Sequence, residues 1–132
     1  RVNQITIDYV KTREQFGAPI GSNQVIKHRL ADMLIEAEQS KAMADMAAMR
    51  ADMAIGTWGD EQVQTTSATK VRIGEAAKFV GEQGIQLHGG IGMTDEYAIG
   101  HYYKRLQTID KLFGNVDYHL RRFSDARQKR HK

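Results

Sequence analysis

Cysteine is absent from this chain of 132 residues, proline and tryptophan occur once each, and no apolar run is long enough to span a membrane. Each absence removes a class of protein. Without cysteine there is no disulfide scaffold and no thiolate zinc site, and the composition suits a reducing compartment, so a cytoplasmic setting is expected. Lys, Arg, Asp or Glu interrupts every apolar stretch well before the roughly 18 residues that a membrane span requires. One proline leaves long helices uninterrupted. Strand-like alternation never persists long enough to build a sheet, and there is no internal repeat. Charge of one sign is also scarce, with 19 basic against 16 acidic side chains for a net +3. The excess gathers in Arg127-Gln-Lys-Arg-His-Lys132, which reads as a solvated helix end and not as a nucleic-acid or membrane surface.

What is present is helical periodicity. A first helix is expected from Arg1 to about Glu14, broken by Gly17-Ala-Pro19, with Ser22 as the cap of the next. In that second helix Ile26, Leu30, Met33, Ala37, Ser40, Ala44, Ala47, Ala51 and Ala54 fall at steps of four and three, the seam of a helix packed nearly antiparallel to its neighbours. It would be about 50 Å long at 1.5 Å per residue. Gly56-Thr-Trp-Gly59 ends it, and Asp60 can cap a third helix reaching His88. Val63, Ser67, Gly74, Ala77, Gly81 and Gly84 form one stripe on this helix, and the glycines at 74 and 81 read as sites of close helix approach. Asp95 is expected to cap a shorter helix to about Ile109. A last helix from Asn115 or Val116 to about Gln128 would bury Val116, Leu120 and Phe123. The fold class expected is all-α, an antiparallel four-helix bundle with a short extra helix. The six methionines, five of them before Gly56, read as core filler and subunit packing.

The densest chemical signal is Gln86-Leu-His-Gly-Gly-Ile-Gly-Met-Thr-Asp-Glu96. A glycine cluster there can bring backbone to a ligand and turn several N–H groups toward one point. An esterase oxyanion loop would need a Gly-x-Ser-x-Gly nucleophile elbow, which is absent. A phosphate loop would end in Gly-Lys-Ser/Thr and follow a strand. No metal site is expected, because His28, His88, His101, His119 and His131 form no pair at ligand spacing and match no carboxylate set; each reads as a surface or hydrogen-bonding residue.

A second constellation gives the glycine run a context. Tyr9-Val-Lys-Thr-Arg13-Glu-Gln15-Phe16-Gly17-Ala-Pro19-Ile20-Gly-Ser-Asn-Gln24, followed by Leu30-Ala-Asp-Met33 and later by the Gln86–Glu96 run, resembles the C-terminal domain of the acyl-CoA dehydrogenases across essentially the whole chain. The resemblance implies that residues 1–132 are one C-terminal helical bundle domain cut from a longer flavoenzyme. Such an enzyme oxidises an acyl-CoA thioester to its α,β-enoyl product, with FAD held between subunits. It also implies a cofactor-binding set of Arg13, Gln15, Phe16, Ile20, Gln24, Gln86, Gly89, Gly90 and Asn115. A guanidinium suits a diphosphate, and glycine N–H groups suit an adenine or ribose edge. The partners implied are an acyl-CoA bound through other domains, further subunits in a homo- or hetero-oligomer of tetrameric kind, and an electron-transferring flavoprotein; nucleic acid is not among them.

The resemblance breaks at the catalytic base. Family members carry a glutamate between an aromatic residue and glycine, whereas here the run is Leu112-Phe113-Gly114-Asn115, and Phe113 has nothing to titrate. Lys104-Arg105 also departs from the usual Arg-Asp, and Asp110 and Asp117 are weak replacements. No catalytic residue is identified. Three explanations stand: a base upstream of Arg1, a catalytic partner subunit in a heteromer, or a non-catalytic helical module that only scaffolds a partner. The Leu-Phe-Gly run and Gly100-His-Tyr-Tyr-Lys-Arg-Leu most resemble the small subunit of pimeloyl-CoA-type dehydrogenases.

Overall fold

The structure is a computed structural model that describes residues 1–129, so His131 and the end of the basic stretch lie outside the described residues. Among the described residues five α-helices are present: α1 (Val2–Thr12), α2 (Gln24–Met53), α3 (Asp60–His88), α4 (Ala98–Lys111) and α5 (Val116–Lys129). Short 3-10 segments occupy Ile20–Ser22 and Gly89–Met93. The expected all-α class is found, with one addition: β1 (Glu14–Gln15) and β2 (Ala18–Pro19) form a minimal antiparallel pair.

That pair corrects the first boundary. Arg13 is extended, with φ −73° and ψ 118°, so α1 stops at Thr12 and not near Glu14. Phe16 and Gly17 have φ of +55° and +81°, the two consecutive positive values that let a two-residue turn match the twist of its strands. The Ile20 N–H donates to the Arg13 carbonyl at 2.8 Å and closes the base of the hairpin. Ser22 is no cap, because its Oγ donates back to the Pro19 carbonyl at 2.7 Å. Helix α2 starts behind Asn23 and its 30 residues correspond to about 45 Å. At the start of α3, the Gly59 N–H donates to Gln62 Oε1 at 3.0 Å. Gly59 thus holds the cap position, and Asp60 is the first helical residue, where its charge favours the helix N-terminus.

The chain divides into two compact units, to each of which α2 and α3 contribute. The first comprises residues 1–37 and 77–109. Val2, Thr6 and Val10, spaced by four, bury one face of α1, and Val2, Val10, Met33, Val80, Leu87 and Ile99 form the core. Buried Thr6 satisfies its hydroxyl on the Val2 carbonyl at 3.0 Å. Arg29 Nη1 donates to Gln83 Oε1 at 3.1 Å, a contact of the antiparallel α2–α3 pair. A Cβ at Gly84 would stand 2.9 Å from Val2 Cγ1 and 3.0 Å from Ile99 Cδ1, so glycine is what lets α1 and α4 close on α3.

The second unit comprises residues 38–76 and the described residues from Asp110 onward. Its interior is small and polar: Ala54, Thr65, Ser67, Thr69, Ala76, His119 and Ala126 are buried. Arg50 Nη1 donates to Thr65 Oγ1 at 2.9 Å, and Thr69 Oγ1 to the Met43 carbonyl at 3.4 Å, again with α2 and α3 antiparallel. Helix α5 starts where expected, but its inward residue is His119, and Leu120 is exposed. Helix α4 starts at Ala98, three residues after Asp95, which caps nothing; its carbonyl lies 3.1 Å from His101 Nε2. Among the described residues no helix is long and apolar enough to cross a membrane.

Candidate functional site

Two segments of the first unit make a cleft of about 440 Å³. One wall is the end of α1 and the hairpin, which supply Tyr9, Arg13, Gln15 and Ile20; the other is the end of α3 and the turn after it, which supply Gln86, Leu87, His88, Gly89, Gly90 and Ile91. Tyr9 ties the walls together. Its hydroxyl donates to the His88 carbonyl at 3.3 Å, and its ring stacks on the His88 imidazole with centroids 4.3 Å apart. The Tyr9 carbonyl also receives the Arg13 N–H at 2.8 Å, which fixes the chain at the start of the hairpin.

The cleft is suited to an anion. None of its lining residues is acidic, and Arg13 makes no ion pair among the described residues. Gly89 has φ +62°, and a Cβ built on Gly89 or Gly90 would touch nothing within 4 Å, so backbone is exposed on that side. His88 contributes no charge near neutral pH. It is 3% exposed, and burial pushes its pKa below the ordinary value despite the bond to Gly84. Because a carbonyl can only accept, His88 Nδ1 carries the proton it donates to the Gly84 carbonyl at 2.7 Å. Its Nε2 is buried without a hydrogen-bond partner. Arg13 is therefore the cation of this cleft.

Six of the nine residues expected at a cofactor come together here: Arg13, Gln15, Ile20, Gln86, Gly89 and Gly90. Phe16 stands at the hairpin tip, fully exposed and outside the lining, and Gln24 is exposed at the first turn of α2. Asn115 belongs to the second unit and caps α5, accepting the Tyr118 N–H at 3.0 Å. Sequence reasoning did not single out Tyr9 or His88 as site residues. The signal was there, since Tyr9 precedes Arg13 by only four residues and His88 adjoins the glycine pair. A second cavity of about 380 Å³ lies between the end of α3, the Gly89–Met93 turn and α4, and Gln86 lines it too.

In the second unit, the turn between α4 and α5 is tightly determined. Phe113 has φ +60° and Gly114 +100°; a left-handed residue other than glycine costs about 1–2 kcal/mol. The Phe113 ring is 93% exposed. The Phe113 carbonyl accepts from His119 Nε2 at 3.0 Å, and His119 Nδ1 lies 3.3 Å from Ser67 Oγ. Asp110, one turn earlier, has a buried Oδ1 without a hydrogen-bond partner among the described residues and packs against Gly74, where a Cβ would come within 2.7 Å of it. Among the described residues, no three His, Asp or Glu side chains are grouped to hold a metal ion.

Comparison with known proteins gives one consistent answer. The family model of the acyl-CoA dehydrogenase C-terminal domain matches residues 1–126. The chain is 36% identical to acyl-CoA dehydrogenase IpdE2 of Mycobacterium tuberculosis over 122 residues, covering 92% of this chain and 35% of that protein. The solved structure of the Tcur3481-Tcur3483 steroid ACAD matches with a TM-score of 0.89 and 30% identity, over 98% of this chain and 35% of that one. The FAD complex of PigA matches with a TM-score of 0.85 and 26% identity, over 98% and 33%. The chain thus spans about a third of the length of these relatives. By sequence and by fold, it belongs to the acyl-CoA dehydrogenase family, as the C-terminal helical domain.

Proposed function

We propose that this chain is the C-terminal domain of a flavin-dependent acyl-CoA dehydrogenase and supplies one wall of the FAD site together with subunit contacts. The observation that carries the reading is the convergence of Arg13, Gln15, Gln86 and the Gly89–Gly90 backbone on one cleft without acidic residues. That donor set fits the ADP half of FAD: the guanidinium pairs with a diphosphate oxygen, the glycine N–H groups meet polar edges, and Ile20 covers an apolar face. Phe16 and Gln24, exposed beside the hairpin, complete the contact from outside the cleft. Asn115 acts by holding the start of α5. The chemistry supplied by bound flavin is acceptance of the hydride lost from the acyl β-carbon. This chain orients the nucleotide and takes no proton, because Phe113 has no titratable group; the base comes from outside these residues. The FAD complex of PigA supports the cofactor.

Oligomerisation is the second part of the role. Met49, Met53, Ile55 and Trp58 are each at least 60% exposed, and apolar side chains grouped so closely in sequence favour burial against another subunit. The partners in this reading are further dehydrogenase subunits, alike or different, in a tetramer; an acyl-CoA thioester; and an electron-transferring flavoprotein. The cysteine-free sequence suits the cytoplasm. The test uses the full-length protein with its partners. It should purify yellow, and Arg13→Ala should weaken FAD binding roughly tenfold, about 1.4 kcal/mol. A colourless assembly that gains no flavin absorbance when FAD is added would refute the cofactor reading.

A further inference from the structure

The cavity between the end of α3, the turn after it and α4 lies within the first unit, and the nucleotide reading does not use it. Its volume of about 380 Å³ falls in the range of roughly 300–1,000 Å³ found for small-molecule sites. One side chain of another subunit would leave most of it empty. The space exists because two of its lining residues, Gly92 and Gly100, have no side chain to place in it. Gly92 has no room for one, since a Cβ there would stand 2.9 Å from the Ile85 carbonyl oxygen. Ile85, Met93 and Tyr103 make the walls apolar.

The polar groups of the lining favour a cation. Lys104 is the only ammonium among them, and it lies 3.7 Å from Asp95 Oδ1. Glu82 is the carboxylate left over: exposed on α3, it makes no ion pair among the described residues. Two uncharged neighbours are also left as acceptors. The Thr94 hydroxyl spends its proton on the Ile91 carbonyl at 2.8 Å. His101 Nε2 faces the Asp95 carbonyl at 3.1 Å and so carries the proton, which makes Nδ1 an acceptor in the neutral ring. The nucleotide cleft is the reverse case, with a guanidinium and no acid.

We propose that this cavity is a second ligand site, for an amphipathic organic cation: a primary ammonium that pairs with Glu82, carried on an aromatic body seated against Ile85, Met93 and Tyr103. Fatty acids and acyl-CoA are the wrong ligands, because they would bring a carboxylate or phosphates to an unpaired carboxylate. The inference stands apart from the FAD reading. Glu82 lines this cavity and not the nucleotide cleft, and binding moves no proton or electron.

The experiment uses the full-length assembly and calorimetry with three probes built on one ring: tryptamine, a cation at neutral pH; indole-3-propionate, an anion; and uncharged indole. Tryptamine should bind about tenfold more tightly than indole-3-propionate, the worth of one charge-assisted contact. Glu82→Gln, at an exposed position, should weaken tryptamine by about the same factor, with indole affinity and flavin content unaltered. Glu82→Lys should reverse the order of the two charged probes. Equal affinity for those two probes, or tryptamine affinity that is unchanged in Glu82→Gln, overturns the proposal. So does an assembly that binds no tryptamine; if Glu82→Lys then also breaks that assembly, the cavity is a seat for another subunit. An assembly that holds no FAD but ranks the probes as expected refutes the cofactor reading and supports this one.

Discussion

His88 shows how a single residue couples the cleft to pH. Its ring is buried against Tyr9, and its only hydrogen bond uses the proton on Nδ1. A second proton on Nε2 would be buried without an acceptor, so the folded chain protonates less readily than the unfolded chain, whose histidine titrates near 6.5. Between those two values the unfolded state binds more protons, and stability rises with pH. The contribution is therefore complete above about pH 6.5 and is lost progressively as pH falls below it toward the lowered folded value. Thermal midpoints of the full chain should be flat from pH 7 upward and fall on acidification below that point. His88→Phe, which keeps the stack on Tyr9 without a titrating group, should flatten the acid limb in a calorimetric pH series; an unchanged slope would remove His88 as its cause. The burial that separates this histidine from the exposed His101 was not legible in the sequence, because it is made against Tyr9, 79 positions away.

At the scale of elements, α3 and the turn after it carry two kinds of glycine that substitution separates. Gly84 faces Val2 and the branched end of Ile99 at about 3 Å, whereas Gly90, just beyond the helix, faces open space. Alanine gains roughly 1 kcal/mol over glycine in a helix interior, but overpacking a filled core costs about 1–3 kcal/mol, so Gly84→Ala should lower stability by about 1 kcal/mol in urea unfolding. Gly90→Ala should leave the unfolding midpoint unaltered and weaken FAD binding in the assembly, since its methyl group enters the cleft. If both variants behave alike, the distinction between packing and site glycines fails. Element boundaries were legible where local chemistry set them: α3 runs from Asp60 to His88 as its flanking glycines indicated. The end of α1 was not, because the hairpin turns on Phe16-Gly17, a pair without the Asn-Gly or Asp-Gly signature. The inward face of α5 was misread by one residue, since a partner on α3, Ser67, draws a polar side chain inside where periodicity favoured Leu120. Six of the expected cofactor residues converge because motif spacing records which helix ends meet; Asn115 instead serves a helix cap.

For the whole molecule, the two units differ in what holds each together. The first is filled by Val, Met, Leu and Ile; the second by Ala, Thr, Ser and His, with Met53, Ile55 and Phe113 outside. Burial of large apolar groups dominates folding energy, and regions with few such contacts open at lower free energy. Amide exchange in the isolated chain should accordingly be faster across residues 44–53 and 60–69 than across 79–88, and should slow in those first two stretches when the full assembly forms. Equal protection in the isolated chain would mean that the second unit needs no outside contact. Gln86 gives the molecule a different kind of link, for it lines two cavities of the first unit. One amide cannot serve two clefts at once: rotation about its χ angles that commits its donor and acceptor to one occupant withdraws them from the other. Occupancy on either side of that turn would then compete for the same hydrogen-bonding group.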